Sequence, residues 1–127
     1  MTFPATLRYT KDHEWLQLGD DDVAIVGITD FAQGELGDIV YVDINTEGQT
    51  LQAGTVFGSV EAVKTVSDLY LPVDGEILEV NDALNDAPEL VNTDPYGDGW
   101  MIKLKVSDRA AVEALLDAEA YQQLTGA

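Results

Sequence analysis

One lysine stands apart from every other basic residue of the chain. Lys64 is the only lysine or arginine between Lys11 and Lys103, although the intervening sequence contains twenty aspartates and glutamates. A lysine that acts as a nucleophile or base must lose its proton near neutral pH, which proteins achieve by burial or by a second cation nearby. The ionisable neighbours in sequence are Glu61 and Asp68, whose charges favour the ammonium form. The pattern therefore argues against Schiff-base chemistry.

Lys64 lies between two segments that have the composition of strands. Val60 and Val63 precede it and Val66 and Leu69 follow it, so that apolar residues flank it on both sides. An exposed lysine at the tip of a hairpin would explain this arrangement without any function. The isolation of Lys64 in an acidic sequence favours the alternative, in which a rigid turn presents the amine to a modifying enzyme.

The charge of the chain limits its partners. Its formal net charge is -18 at pH 7, which excludes nucleic acid and anionic membrane as ordinary partners because both bind clustered lysine and arginine. Two explanations of the acidity remain open. The charge could steer the protein toward a basic partner surface. Alternatively, the excess of fifteen aspartates over four lysines is typical of a high-salt cytoplasm, where ions screen the self-repulsion.

Several kinds of site are excluded by composition. The chain has no cysteine and one histidine, His13, which leaves no basis for a disulfide or a transition-metal site. Asp20, Asp21 and Asp22 lack the spacing of a calcium loop and predict a solvated turn. We find no phosphate-binding glycine loop and no nucleophile elbow, so an independent enzyme active site is not expected. No basic and apolar leader or membrane-length apolar run is recognisable, and we expect a soluble, cytoplasmic protein.

Short β-rich runs separated by turn residues dominate the first 106 residues. Residues 39 to 44 and 75 to 80 are rich in β-branched side chains, and residues 100 to 106 predict a late strand whose lysines, Lys103 and Lys105, face solvent together with Met101. Strands at this spacing favour a sandwich or barrel. The expected fold class is all-β, with two packed sheets closed as a barrel-like sandwich.

The composition changes after Ser107, which we take as a helix N-cap. Apolar residues recur at helical spacing and predict an amphipathic helix over residues 108 to 116, continued by another turn or two from 117 to 124. A chain of 127 residues fits one domain. We therefore expect a single domain over residues 1 to 127, with a β core at about 7 to 106 and a C-terminal helical segment at about 108 to 124.

The segment around Lys64 also carries a family resemblance. Residues 58 to 70, GSVEAVKTVSDLY, resemble the lipoyl-lysine segment of the glycine cleavage system H proteins. Other H-protein signatures follow the same order along residues 9 to 106. They are YT at 9 to 10 with HEW at 13 to 15, VGITDFAQ at 26 to 33, LGDIV at 36 to 40, ELVN at 89 to 92, DPY at 94 to 96 and GW at 99 to 100.

Related carriers match less well. Biotin carriers flank the modified lysine with methionines, where this chain has Val63 and Thr65, and the lipoyl domains of 2-oxo acid dehydrogenases place an aspartate before it. Glu61, three residues before Lys64, and Gly75, eleven residues after it, match the pattern that lipoylating enzymes recognise in H proteins. Ala62 replaces a serine common there.

The resemblance implies a carrier of the lipoyl and biotinyl type that is not itself an enzyme. Lipoic acid would form an amide with Lys64 and shuttle the aminomethyl group of glycine. The implied partners are a pyridoxal-phosphate glycine decarboxylase (P protein), an aminomethyltransferase (T protein), dihydrolipoamide dehydrogenase (L protein) and the lipoylating enzyme. Glu14 and Asp68 match positions near the docked arm and would hold its protonated amine in an acidic cleft. His13 is expected to be structural.

Two other functions remain open from the sequence. An H-like protein could relay lipoyl groups to other lipoyl domains, which requires the same Lys64 and the same flanking residues. Alternatively, the chain could be an unmodified acidic interaction module, for which the isolation of Lys64 has no explanation.

Overall fold

Two antiparallel sheets contain the regular strands of residues 3 to 126, the part of the chain that the computed structural model describes. The strands are β1 (Arg8–Tyr9), β2 (Glu14–Leu18), β3 (Val23–Ile28), β4 (Ile39–Asp43), β5 (Thr50–Leu51), β6 (Val56–Ala62), β7 (Val66–Tyr70), β8 (Gly75–Val80) and β9 (Ile102–Val106). The larger sheet has the order β1-β2-β3-β9-β8-β5, and the smaller has the order β4-β6-β7.

Short helices connect and cover these sheets. They are α1 (Asp30–Leu36), α2 (Ala83–Asp86), α3 (Leu90–Thr93), α4 (Arg109–Glu113) and α5 (Ala118–Thr125). None of the helices within residues 3 to 126 is long and apolar enough to cross a membrane.

The main core lies between the two sheets. Strand alternation directs Val60 and Leu69 of the smaller sheet inward, where they join Val26, Ile77 and Leu104 of the larger sheet in one buried cluster. Full burial of an aliphatic side chain contributes about 1.5–3 kcal/mol, so this shared cluster holds the sheets together. Two packed sheets with helical segments at the C-terminal end confirm the predicted fold class.

A second cluster attaches the C-terminal helix to the larger sheet. The rings of Tyr9 and Tyr121 stack at 4.8 Å between centroids, and Trp15 is buried in the same cluster. The Tyr121 hydroxyl lies 2.7 Å from Thr29 Oγ1 and 2.8 Å from His13 Nδ1. His13 therefore makes a hydrogen bond of the kind expected of a structural residue.

The strand predictions are confirmed with small changes. The first and second predicted strands correspond to β4 and β8, and the late strand is β9, which begins at Ile102. Lys105 is exposed and Lys103 is partly exposed. Met101 is fully buried instead of sharing their face. The reason is that Met101 precedes the strand, where its amide donates to Val26 O at 2.8 Å.

The prediction for the C-terminal segment was wrong in two respects. The N-cap of α4 is Asp108 and not Ser107, since the Asp108 carboxylate accepts from the Ala110 amide at 3.0 Å. The helix also ends at Glu113 instead of residue 116, because Leu116 pairs with Tyr9 through backbone hydrogen bonds of 2.8 and 3.0 Å. A new helix, α5, then starts after its own cap, Asp117.

Helix α1 was missed because it spans only seven residues, too few for a periodic pattern. Its ends do carry signals that could have revealed it. The Thr29 hydroxyl accepts from the Ala32 amide as an N-cap, and Gly37 follows the last turn at φ 81°. This helix and the Gly37 segment lie beside Lys64.

Candidate functional site

Lys64 lies on the turn of a tight hairpin. Strands β6 and β7 pair through Glu61 and Val66, and the Ala62 amide donates to Thr65 O at 2.8 Å. This leaves Val63 and Lys64 as the two residues of the turn, and both are exposed. A two-residue connection constrains the backbone strongly, so the root of the lysine side chain is fixed while its amine stays accessible.

A second hydrogen bond fixes the turn relative to the rest of the fold. The Val63 amide donates to Asp38 O at 3.1 Å, and Asp38 lies between α1 and β4. The adjacent Gly37 leaves room for the lysine side chain. A Cβ added at Gly37 would lie 3.3 Å from Lys64 Cε and 3.7 Å from its Nζ. The lysine therefore extends along the backbone at the C-terminal end of α1.

An exposed apolar surface surrounds this turn. Four of the seven large hydrophobic side chains exposed among residues 3 to 126 lie here, and we call them the apolar rim; they are Val40, Tyr41, Val63 and Val66. Glu61 pairs with Tyr41 on one side and with Val66 on the other. Its carboxylate therefore belongs to the surface that any enzyme must contact to reach Lys64.

A groove of about 120 Å³ lies between α1, β2 and β7. Aliphatic and polar side chains share its wall, and the polar ones include three carboxyl groups, those of Asp12, Glu14 and Glu35, and the Ser67 hydroxyl. We call it the α1–β7 groove. Its lining includes His13, Glu14, Ile28, Leu36, Ser67 and Leu69.

Glu14 is the unusual member of that lining, since its side chain is only 2% exposed. Its Oε2 accepts from the Tyr70 amide and its Oε1 from the Thr10 hydroxyl, both at 3.1 Å. Burial raises the pKa of Glu14 to about 8, against the opposing effect of these two hydrogen bonds. At neutral pH the carboxyl is therefore mostly protonated, and a cation entering the groove would ionise it.

The other predicted site residues lie elsewhere. Asp68 is exposed opposite Ser59, and strand alternation directs it away from the groove that Ser67 and Leu69 line. Gly75 is buried at the start of β8, where an added Cβ would lie 2.5 Å from Lys105 O. The structure thus brings Glu14 and Ser67 together in the groove, places Glu61 beside the lysine turn, and gives Gly75 a packing role.

Sequence reasoning missed the roles of Gly37, Asp38 and Ser67. Gly37 and Asp38 belong to the LGDIV motif, but their contact with the turn depends on residues 25 or more positions away. Within residues 3 to 126, no group of three or more His, Cys, Asp or Glu side chains could hold a metal ion.

Comparison with known proteins agrees with this geometry. Residues 7–127 match the family model of the glycine cleavage H-protein. The chain is 62% identical over 122 residues to the glycine cleavage system H protein of Bacteroides thetaiotaomicron, covering 96% of each chain. It is 63% identical over 127 residues to that of Pelodictyon phaeoclathratiforme, covering 99% of each.

A solved structure extends the agreement to three dimensions. The crystal structure of a glycine cleavage system H protein from Mycobacterium marinum superposes with a TM-score of 0.90 at 42% identity, covering 98% of this chain and 100% of that one. These findings confirm the resemblance seen in the sequence. The chain belongs to the glycine cleavage H-protein family and is a carrier subunit rather than an enzyme.

Proposed function

We propose that the chain carries lipoic acid as an amide on Lys64 and serves as the lipoyl carrier of the glycine cleavage system. The observation that supports the attachment site is the hairpin geometry. Lys64 is exposed on a two-residue turn that two backbone hydrogen bonds hold, at Ala62 and at Val63. A modifying enzyme therefore meets an accessible amine in a fixed orientation.

The residues near Lys64 fit a lipoyl group. The aliphatic side chains of the α1–β7 groove, which include Ile28, Leu36 and Leu69, suit a hydrocarbon arm, and Gly37 leaves the amine end of the lysine side chain uncrowded. When attached, the group would supply a dithiolane whose S–S bond opens on loading, so that one sulfur takes the aminomethyl unit of glycine and the other becomes a thiol. Since the chain has no cysteine, no internal thiol competes in exchange with that dithiolane.

The partners of this carrier are the enzymes that load, unload and reoxidise the arm, for which we propose glycine decarboxylase, aminomethyltransferase and dihydrolipoamide dehydrogenase. The net charge of -18 favours partner surfaces with basic residues and steers their approach. The cytoplasm is the compartment that we propose, where the carrier would meet these enzymes.

The lipoylating enzyme would recognise the apolar rim and Glu61. A partner that reaches Lys64 must cover Val63 and Val66, which removes apolar surface from water. Glu61 lies within that contact surface. It pairs with Tyr41 on one neighbouring strand and Val66 on the other, and it is the charged residue of these three. Gly75 would contribute indirectly, through the close approach of β8 to β9 that it permits.

Glu14 and Asp68 would stabilise the loaded arm in different ways. The aminomethyl group ends in an amine that is protonated at neutral pH, and this cation would ionise the buried Glu14 carboxyl on entering the groove. Asp68 is exposed on the other side of β7, so we assign it a longer-range electrostatic effect. Docking of a loaded arm at pH 7 would therefore release a proton from Glu14.

Intact-mass measurement tests the attachment site. Protein purified from lipoate-replete cells of its native host should carry a lipoyl adduct, and Lys64→Arg should carry none because arginine cannot form the amide. Lys103→Arg is the matched control and should keep the adduct. A wild-type mass equal to that of the bare chain would contradict the carrier function and favour an acidic interaction module.

Glu61→Gln tests recognition at the apolar rim. The substitution keeps the size of the side chain and removes one charge from the contact surface, so we expect kcat/KM for lipoylation to fall roughly tenfold. Glu76→Gln changes an exposed strand glutamate of the larger sheet and should leave the rate unchanged. Equal rates for wild type and Glu61→Gln would rule out the proposed role of Glu61.

Glu14→Gln should change the dependence of stability on pH. The folded protein holds the Glu14 proton up to a pKa of about 8, against an ordinary value of 4.5. The contribution of this bound proton to the free energy of unfolding is complete below pH 4.5 and is lost as the pH rises through 8. Between these values the variant should gain up to about 1.4 kcal/mol per pH unit relative to wild type.

Urea unfolding at pH 5 and pH 8, at constant salt, measures this difference. Glu76→Gln, which replaces an exposed glutamate, is the control for the loss of one surface carboxyl group. If Glu14→Gln also follows wild type at both pH values, Glu14 is already ionised in the folded protein and its proposed role fails.

A further inference from the structure

Asn92, in α3, makes three hydrogen bonds around the segment that precedes β4. Its Oδ1 accepts from the Ile39 amide at 2.9 Å. Its Nδ2 donates to Gly37 O at 2.8 Å and to Gln33 Oε1 at 3.0 Å. The side chain therefore holds the backbone on both sides of Asp38 and ties it to α1.

The same short segment supports the lysine turn from its other side. Asp38 O accepts from the Val63 amide at 3.1 Å, and the backbone of Gly37 lies against the Lys64 methylenes. Gly37 has φ 81° and ψ -158°, a conformation that essentially only glycine adopts. Such a segment has many alternative conformations available, so it needs external contacts to stay in one of them.

The turn has few other supports. Val63 is 76% exposed, and Lys64 and Thr65 are also exposed, so side-chain burial contributes little to its position. Among residues 3 to 126, the backbone bonds that position the turn are the one closing it, from Ala62 to Thr65, and the one from Val63 to Asp38. Only the second connects the two turn residues, Val63 and Lys64, to a different part of the chain, although the adjacent Ala62 also pairs with Ile39 of β4.

We infer that Asn92 is a positioning residue for Lys64, which acts through the Gly37–Asp38–Ile39 backbone and the Val63 amide. It never contacts the lysine. By holding Asp38 O in place it fixes the direction in which the turn presents the amine to a modifying enzyme. The part of this inference that concerns lipoylation rests on the proposed function, whereas the part that concerns the turn does not.

The chain offers a matched control in Asn81. This asparagine also makes three hydrogen bonds, from Nδ2 to Asp98 O at 2.9 Å and to Trp100 O at 2.8 Å, and from the Ala83 amide to Oδ1 at 3.2 Å. None of these partners belongs to the Lys64 hairpin or to the segment beneath it. Asn81→Ala therefore removes a similar set of bonds at a different place.

The experiment compares wild type, Asn92→Ala, Asn92→Asp and Asn81→Ala in the full chain. The first readout is the rate of hydrogen exchange of the Val63 amide, which NMR measures on protein without lipoate. The second is kcat/KM for lipoylation by the lipoylating enzyme, measured where urea unfolding shows every variant to be folded. Asn92→Asp keeps the side-chain size and an acceptor for Ile39 but replaces the donor to Gly37 O and Gln33 Oε1 with a carboxylate oxygen, so it breaks those two bonds without leaving a cavity should Asn92→Ala fail to fold.

We expect Asn92→Ala to accelerate Val63 exchange roughly tenfold, the factor that corresponds to loss of about one hydrogen bond. Lipoylation should slow several-fold, and Asn92→Asp should change both readouts in the same direction as Asn92→Ala. Asn81→Ala should lower the free energy of unfolding without changing Val63 exchange or the rate of lipoylation. This pattern would separate positioning of the turn from a general loss of stability.

Unchanged Val63 exchange in the Asn92 variants would overturn the inference. Equal acceleration in Asn81→Ala would also overturn it, because the effect would then be general. If wild type is never lipoylated, the proposed function fails, but Val63 exchange still decides whether Asn92 positions the turn. The two failures are therefore distinguishable.

Discussion

The buried carboxyl of Glu14 joins the two halves of this fold. Glu14 is the first residue of β2 in the larger sheet. Its carboxyl group accepts a hydrogen bond from the amide of Tyr70, the last residue of β7 in the smaller sheet. Tyr70 is 56 residues away in sequence. The position of the hairpin relative to the α1–β7 groove therefore depends on this buried polar contact as well as on the apolar core that the two sheets share, and an unpaired partner at this contact would be costly.

The two side chains expected to act on the arm lie in different environments. Lys64 lies outside, exposed on a turn, whereas Glu14 lies inside the groove and is mostly protonated at neutral pH. An attached arm would link them, with its root fixed on the hairpin and its end free to enter the groove. A buried carboxyl group that stays neutral avoids the cost of an unpaired buried charge, and it becomes a counterion only when a cation arrives.

The sequence predicts the parts of this arrangement that depend on local pattern. Alternating β-branched residues around Lys64 predict the hairpin, and residues 75 to 80 predict β8 with its observed bounds. Motifs in a fixed order identify the family. What they do not give is burial: Glu14 was expected in an acidic cleft, and the structure places it in a groove that Asp12 and Glu35 also line, but with its own carboxyl group buried. Asp68 was expected beside it, but the alternation of β7 directs it outward.

The other surprises have a common physical cause, which is contact between residues far apart in sequence. Leu116 leaves the helical pattern because it pairs with Tyr9, more than 100 residues earlier. Asn92 holds Gly37 and Ile39 from more than 50 residues away. Helix α1 is too short to show periodicity, and only its caps mark it. Local propensity cannot specify such contacts, since each depends on how the sheets pack.

The most direct test of the account is the titration of Glu14 in the unloaded protein. Carbon-13 NMR follows the side-chain carboxyl carbons of glutamate against pH, and comparison with Glu14→Gln identifies the resonance of Glu14. We expect a titration midpoint near pH 8 for Glu14. A midpoint near the ordinary value of 4.5 would show an ionised carboxylate at neutral pH and would contradict the account.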